Sequence, residues 1–231
     1  MHRQISKIKK YEGNAFVIKN FLSKTQIKKI KEIYKILPIE IDNKRQKIIK
    51  KKWPIKISHE LQKKFIKKLK KKIGNFKIDN PKTKEGYDSF GLFQESSRPV
   101  GLHVDTGFNF KKILFKQFLL PLTTKGETII FKNRFYGCAT TFSIDPKELK
   151  AKGYNKRSSE HLDIFKGKDF NKKVYRKYLK HENIKNLKGL EVELAYKWKL
   201  GEILIFDRSQ LHCSSSNLIN KKIGFTGLTC K

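Results

Sequence analysis

The chain has 231 residues and a net charge of +33, from 54 Lys and Arg against 21 Asp and Glu. Hydrophobic residues make up 38%, with 17 Phe and 8 Tyr, so a folded interior is expected and disorder is not. No apolar run is long enough to span a bilayer, MHRQISKIKK lacks a signal-peptide core, and Cys138, Cys213 and Cys230 are scattered without zinc spacing; a cytoplasmic, reducing setting is the default expectation.

Residues 1–86 read as a helical support region. NAFVIKNF suggests a short strand. Ser23 and Gln26 then form a capping-box pattern, and Ile27, Ile30, Tyr34 and Leu37 recur at helical spacing until Pro38. A lysine-heavy connection with Trp53-Pro54 follows. Ser58 reads as the cap of a second helix, with Leu61, Phe65, Leu69 and Ile73 on one stripe and Gly74 at its end. Such helices would cover the outside of a sheet, which would explain why GEILIFD is apolar on both faces.

From Tyr87 to Lys231 the pattern is β. The predicted strands are YDSFGLFQES, the segment around GLHVDTG, QFLLPL, ETIIF and CATTF, then LEVELAYKWK, GEILIFD and KIGFTGLT. An insert at about 143–189 interrupts them, with a short helix started at Asp145-Pro146 and a second in DFNKKVYRKYLKH. Loops of this length are usually functional, so a lid over a barrel mouth is expected.

The chemistry concentrates in three residues. Two imidazoles and a carboxylate can hold one Fe(II) on one face and leave the other open. Positions i and i+2 of a strand point the same way, so His103 and Asp105 would project together, with Leu102 and Val104 packed opposite. His212, in GEILIFDRSQLHCSSSN, would complete the triangle from a distant strand. Ten positions later (222 − 212) comes Lys222. In a strand Lys222, Gly224 and Thr226 would share one face, with Ile223, Phe225 and Leu228 mostly opposed. A cation on an inward face suits a dicarboxylate; Lys221 has the wrong parity.

With these residues the segment from about Tyr87 to Lys231 resembles the Fe(II)- and 2-oxoglutarate-dependent dioxygenase superfamily, whose pattern is H-x-D, a distant H, then a basic residue about ten positions on. The resemblance implies a mainly β fold with α, a double-stranded β-helix or jelly roll buttressed by the N-terminal helices. It implies iron ligation by His103, Asp105 and His212, and pairing of Lys222 with the far carboxylate of 2-oxoglutarate. The implied reaction consumes O2 and 2-oxoglutarate, releases succinate and CO2, and hydroxylates a C–H bond; demethylation or desaturation follows from the same oxidant. Two departures stand out. The basic residue is most often Arg, with Ser or Thr two positions on, whereas here the pair is Lys222 and Gly224. Lysine is a point charge rather than a bidentate fork, so a hydroxyl such as Thr226 would have to help orient the cosubstrate.

Each ligand imidazole must donate its other N–H to fix the tautomer, and Gln117, Ser209 and Gln210 are candidates for the supporting shell. Asp207 and Arg208 read as a turn-stabilising pair, Trp198 as core and Cys213 as a small buried residue. His2, His59, His161 and His181 read as surface or lid residues, with His161 the one placed to touch substrate. Arg98 and Arg134 could anchor an anionic substrate, although a solvated face is the plainer reading.

The charge alone would support a competing nucleic-acid or polyanion-binding protein. Only seven of the 54 basic residues are Arg, however, and no nucleic-acid-reading motif is present, so a solvated lysine-rich surface is favoured. A third reading is a jelly-roll protein that uses iron without 2-oxoglutarate or serves as a scaffold. The expected substrate is a small molecule, and an anionic one suits the positive surface.

Overall fold

A computed structural model describes residues 2–106, 112–138, 140–144, 147, 154–156, 168–218 and 220–231. Two mainly antiparallel sheets face one another. The larger runs β1 (Phe16–Ile18), β12 (Ile203–Asp207), β7 (Leu114–Pro121), β14 (Lys222–Cys230), β5 (Ser89–Ser96), β3 (Ile48–Pro54) and β2 (Ile41–Asn43), with β4 (Lys77–Ile78) also paired to β14. The smaller runs β10 (Tyr154–Lys156), β9 (Thr140–Ser143), β6 (His103–Val104), β13 (Gln210–Ser214), β8 (Glu127–Arg134) and β11 (Val192–Lys197), with β10 and β9 paired in parallel. This arrangement is a double-stranded β-helix, the predicted fold.

Helices α1 (His2–Lys9), α2 (Lys24–Ile36) and α3 (His59–Ile73) come from the first third of the chain. The Ser23–Gln26 capping box forms in both directions, the Ser23 hydroxyl accepting from the Gln26 amide and the Gln26 side chain accepting from the Ser23 amide. The second predicted cap does not form. Ser58 is left-handed (φ 53°) and its side chain makes no capping bond. Instead the Ile57 carbonyl accepts from the Trp53 indole and the Gln62 amide, which fixes the turn into α3. Gly74 ends α3 as predicted, at φ 79°, where only glycine is unstrained.

The apolar stripes of α2 and α3 bury Ile27, Ile30, Phe65 and Leu69 against Ile203, Ile205, Phe90 and Phe225 of the larger sheet. Burying each such side chain contributes about 1.5–3 kcal/mol. The other face of β12 packs Leu204 and Phe206 with Leu119, Ile130 and Trp198 between the sheets. GEILIFD is therefore apolar on both faces because both are covered.

Two expectations change. The lysine-heavy connection is a hairpin, β2–β3, which extends the larger sheet by pairing β3 with β5 from Ile48 opposite Ser96 to Pro54 opposite Ser89. In the insert, α4 (Lys172–Tyr178) and a 3-10 turn (Ile184–Leu187) pack with Phe170, Leu179 and Leu190 against Phe131, Phe142, Leu211 and Cys213. That is the outside of the smaller sheet, so α4 and the 3-10 turn cover the sheet's back rather than a barrel mouth, while β10 extends the sheet edge beside β9. His161 and the start of the helix at Asp145-Pro146 lie outside the described residues.

Candidate metal centre and adjoining cavity

Leu102, Val104, Leu211 and Cys213 are apolar and turn to the outside of the smaller sheet, so the residues alternating with them turn in. His103 of β6 and His212 of β13 are direct cross-strand partners, with ring centroids 4.1 Å apart. Asp105 follows β6 by one residue. Its Oδ2 lies 3.4 Å from His212 Nε2 and 3.9 Å from His103 Nε2. One nitrogen or oxygen from each residue lies within 4.8 Å of the others, so a single cation can reach all three.

Each group is held in a ligating state. His103 Nδ1 lies 2.7 Å from the Gly101 carbonyl and His212 Nδ1 3.0 Å from the Gln210 carbonyl. Those carbonyls accept the Nδ1–H, which leaves each Nε2 lone pair aimed inward. Burial, followed by the neighbouring His212, lowers the His103 pKa to about 4, so the ring is neutral at physiological pH. Burial alone would raise the Asp105 carboxyl, but the adjacent His212 and His103 rings and the Gln117 amide hold it well below the usual carboxylate range. Gln117 donates to Asp105 Oδ2 at 2.8 Å, and is the predicted supporting residue that reaches a ligand by its side chain. Ser209 turns instead to Glu12.

The backbone on either side of the H-x-D is braced by residues with no local sequence signal. Arg208 is fully buried and does not pair with Asp207. It donates to the carbonyls of Asp105, Thr106 and Thr229 and to the Asp79 carboxylate at 2.7 Å. Glu182, from the insert, accepts from the Leu102 amide at 2.6 Å and from Asn186. Asp207 bonds instead to Lys116, to Arg134 at 2.9 Å and to the Gly13 amide. Arg134 is thus structural, and Arg98 is exposed.

The triad opens into a cavity of about 700 Å³, lined by Leu119, Trp198 and Phe206 and by Lys222, Gly224 and Thr226 of β14. Ile223 and Phe225 face the opposite side, into the aromatic core, as predicted; Leu228 is not part of that core. Lys222 is buried. Its ammonium donates to the Ser214 hydroxyl and sits 5.1 Å over the Trp198 ring. Among the described residues no carboxylate pairs with it, and burial lowers its pKa to about 8. Lys221 points away, to Glu95 at 3.1 Å.

Trp198 also explains the glycine two positions on. A Cβ at Gly224 would lie 2.9 Å from Trp198 and from Leu119, so the indole occupies the space a Ser or Thr side chain would need. Thr226 lines the cavity, but its hydroxyl donates to the Leu92 carbonyl at 3.3 Å. The hydroxyl that touches Lys222 is Ser214. Ser96, the cross-strand partner of Lys222, adds a buried Oγ without a partner among the described residues. Sequence reasoning missed Ser214 and Ser96; the i+2 relation of Ser214 to His212 was the available signal.

No family model matches the chain, and no curated protein matches it. Solved structures do match. HygX from Streptomyces hygroscopicus with nickel and 2-oxoglutarate bound gives a TM-score of 0.53 at 10% identity, over 100% of this chain and 87% of that one. The non-heme alpha ketoglutarate dependent epimerase SnoN from nogalamycin biosynthesis gives 0.52 at 5% identity, over 100% and 84%. An oxidoreductase of the 2OG-Fe(II) oxygenase family from Burkholderia pseudomallei gives 0.50 at 8% identity, over 98% and 89%. At such identities the likeness is one of fold: the chain shares the double-stranded β-helix of the 2-oxoglutarate-dependent Fe(II) oxygenases.

Proposed function

We propose that the protein is a 2-oxoglutarate-dependent Fe(II) oxygenase that hydroxylates a C–H bond of a small molecule. The observation that carries this reading is the placement of two imidazoles, one ionised carboxylate and a buried lysine that no carboxylate among the described residues pairs with, around one cavity. The donor set suits Fe(II): two nitrogens and one oxygen on one side, with the opposite side facing open space. Bound Fe(II), with 2-oxoglutarate and O2, supplies an oxidant for unactivated C–H bonds, with succinate and CO2 as coproducts.

The chain's own contribution is orientation and exclusion of water. His103, Asp105 and His212 hold the metal, and Gln117 fixes which Asp105 oxygen faces it. Lys222, Ser214 and Ser96 receive the far carboxylate of 2-oxoglutarate, the hydroxyls supplying the direction that a lysine lacks. Leu119, Trp198 and Phe206 keep the space between dry.

The test is anaerobic titration of the apo-protein with Fe(II) and then 2-oxoglutarate, watching the weak visible charge-transfer band of the chelate. The expected result is a band in the wild type that is lost in His212→Ala. An Asp105→Ala variant that still turned over 2-oxoglutarate at the wild-type rate would overturn the reading. Product analysis then separates hydroxylation from desaturation or epimerisation.

A further inference from the structure

The cavity extends past the triad to the β2–β3 hairpin, where Arg45, Lys50, Asn43 and Gln46 line it. Lys50 lies opposite Gln94, which lines the same space, and is close enough for its charge to act on His103. The hairpin's carboxylate, Asp42, is engaged by Lys44 at 2.7 Å and does not line the cavity. Neither Arg45 nor Lys50 makes an ion pair among the described residues.

Charge bookkeeping makes this pair informative. With the centre filled as proposed above, the positive charges of Fe(II) and Lys222 balance the negative charges of Asp105 and 2-oxoglutarate. Arg45 and Lys50 are then left as two cations with no counter-charge among the described lining residues. A cation pair on the cavity wall, flanked by the amides of Asn43, Gln46 and Gln94, attracts an anion and orients it, because arginine offers a fork to oxyanions and lysine a point charge.

We propose that the substrate is a small organic dianion, in the simplest case a phosphate monoester, whose anionic group is held by Arg45 and Lys50 while its carbon skeleton reaches toward the triad. This rests on the oxygenase reading. The hairpin, which is local to this chain's N-terminal third, is then the specificity element.

The test titrates the anaerobic protein, loaded with Fe(II) and saturating 2-oxoglutarate, with phenyl phosphate and separately with neutral benzyl alcohol. Phenyl phosphate is expected to perturb the charge-transfer band without abolishing it, and benzyl alcohol to bind at least tenfold more weakly. In Arg45→Gln/Lys50→Gln the band should form normally while phenyl phosphate affinity falls at least tenfold. A Lys67→Gln/Lys71→Gln control on the exposed face of α3, which removes equal charge outside the cavity, should leave that affinity unchanged. Equal binding by wild type and the Arg45/Lys50 variant, no binding by either, or equal loss in the α3 control would overturn the proposal. Loss of the band on adding phenyl phosphate would also overturn it, because the anion would then be displacing 2-oxoglutarate. Failure of the band to form in any protein would instead sink the oxygenase reading beneath it.

Discussion

Two buried lysines mark opposite uses of the same charge. Lys116 on β7 reaches the Asp207 carboxylate, which Arg134 and the Gly13 amide also hold. Lys222 on β14 is buried as deeply, but it meets the Ser214 hydroxyl and the face of Trp198 and pairs with no carboxylate among the described residues. An ammonium taken out of water needs an anion, or its pKa falls. The first lysine carries its anion within the chain and ties strands together. The second has none among the described residues, and it lies in the cavity that also holds the triad. A buried charge with a built-in partner reads as architecture; one without reads as a receptor.

The largest effect is expected where the structural pair is broken. Asp207→Ala strips the carboxylate from Lys116, Arg134 and Gly13 together, and should cost about 3–5 kcal/mol in urea unfolding at pH 7. Lys222→Met should do the reverse, leaving the unfolding midpoint unchanged or higher, because it removes a desolvated charge and leaves behind a neutral hydroxyl, Ser214, rather than an unpaired buried ion. Its penalty should fall on cosubstrate binding, about 2–4 kcal/mol measured anaerobically with Fe(II) present. Should Lys222→Met destabilise the fold as much as Asp207→Ala, the two lysines would be alike and the contrast would fail.

The same contrast predicts a pH dependence. In the folded chain burial holds Lys222 at about 8, against 10.5 for an ordinary lysine. Between those values the unfolded state binds more protons, so raising pH through that window stabilises the apo-protein, and this contribution disappears as pH falls through 8. A bound carboxylate calls the proton back. Affinity for 2-oxoglutarate should therefore be flat below about pH 8 and weaken by about tenfold per unit above it, and Lys222→Met should abolish that slope.

What the sequence revealed divides along similar lines. Periodicity exposed the triad, the β14 alternation and the α2 cap, because in each case the informative residues are close in the chain or lie on one face of one element. The β2–β3 hairpin was hidden because Ile48–Pro54 carries three consecutive lysines, which read as a solvated connection. Each of those lysines finds a separate place: Lys50 in the cavity, Lys51 4.6 Å over the Tyr34 ring, and Lys52 3.4 Å from Glu40. Such partners are tertiary, and no local pattern reveals them. Arg208 and Glu182 were illegible for the same reason, since they brace the H-x-D from far along the chain.

The smallest predicted effect concerns the glycine that departs from the superfamily pattern. Gly224→Ser would restore the usual hydroxyl two positions after the basic residue. Here its Cβ would press on Trp198 and Leu119 at 2.9 Å, so the substitution should cost about 1 kcal/mol of stability and not improve 2-oxoglutarate binding. The indole is itself anchored by a 2.8 Å hydrogen bond to Thr128, so it does not swing aside at no cost. Combining Gly224→Ser with Trp198→Leu should relieve the clash, and the new hydroxyl should then substitute for Ser214 in a Ser214→Ala background. If the double change fails to recover cosubstrate affinity there, the direction of the Lys222 charge is set by something other than a neighbouring hydroxyl.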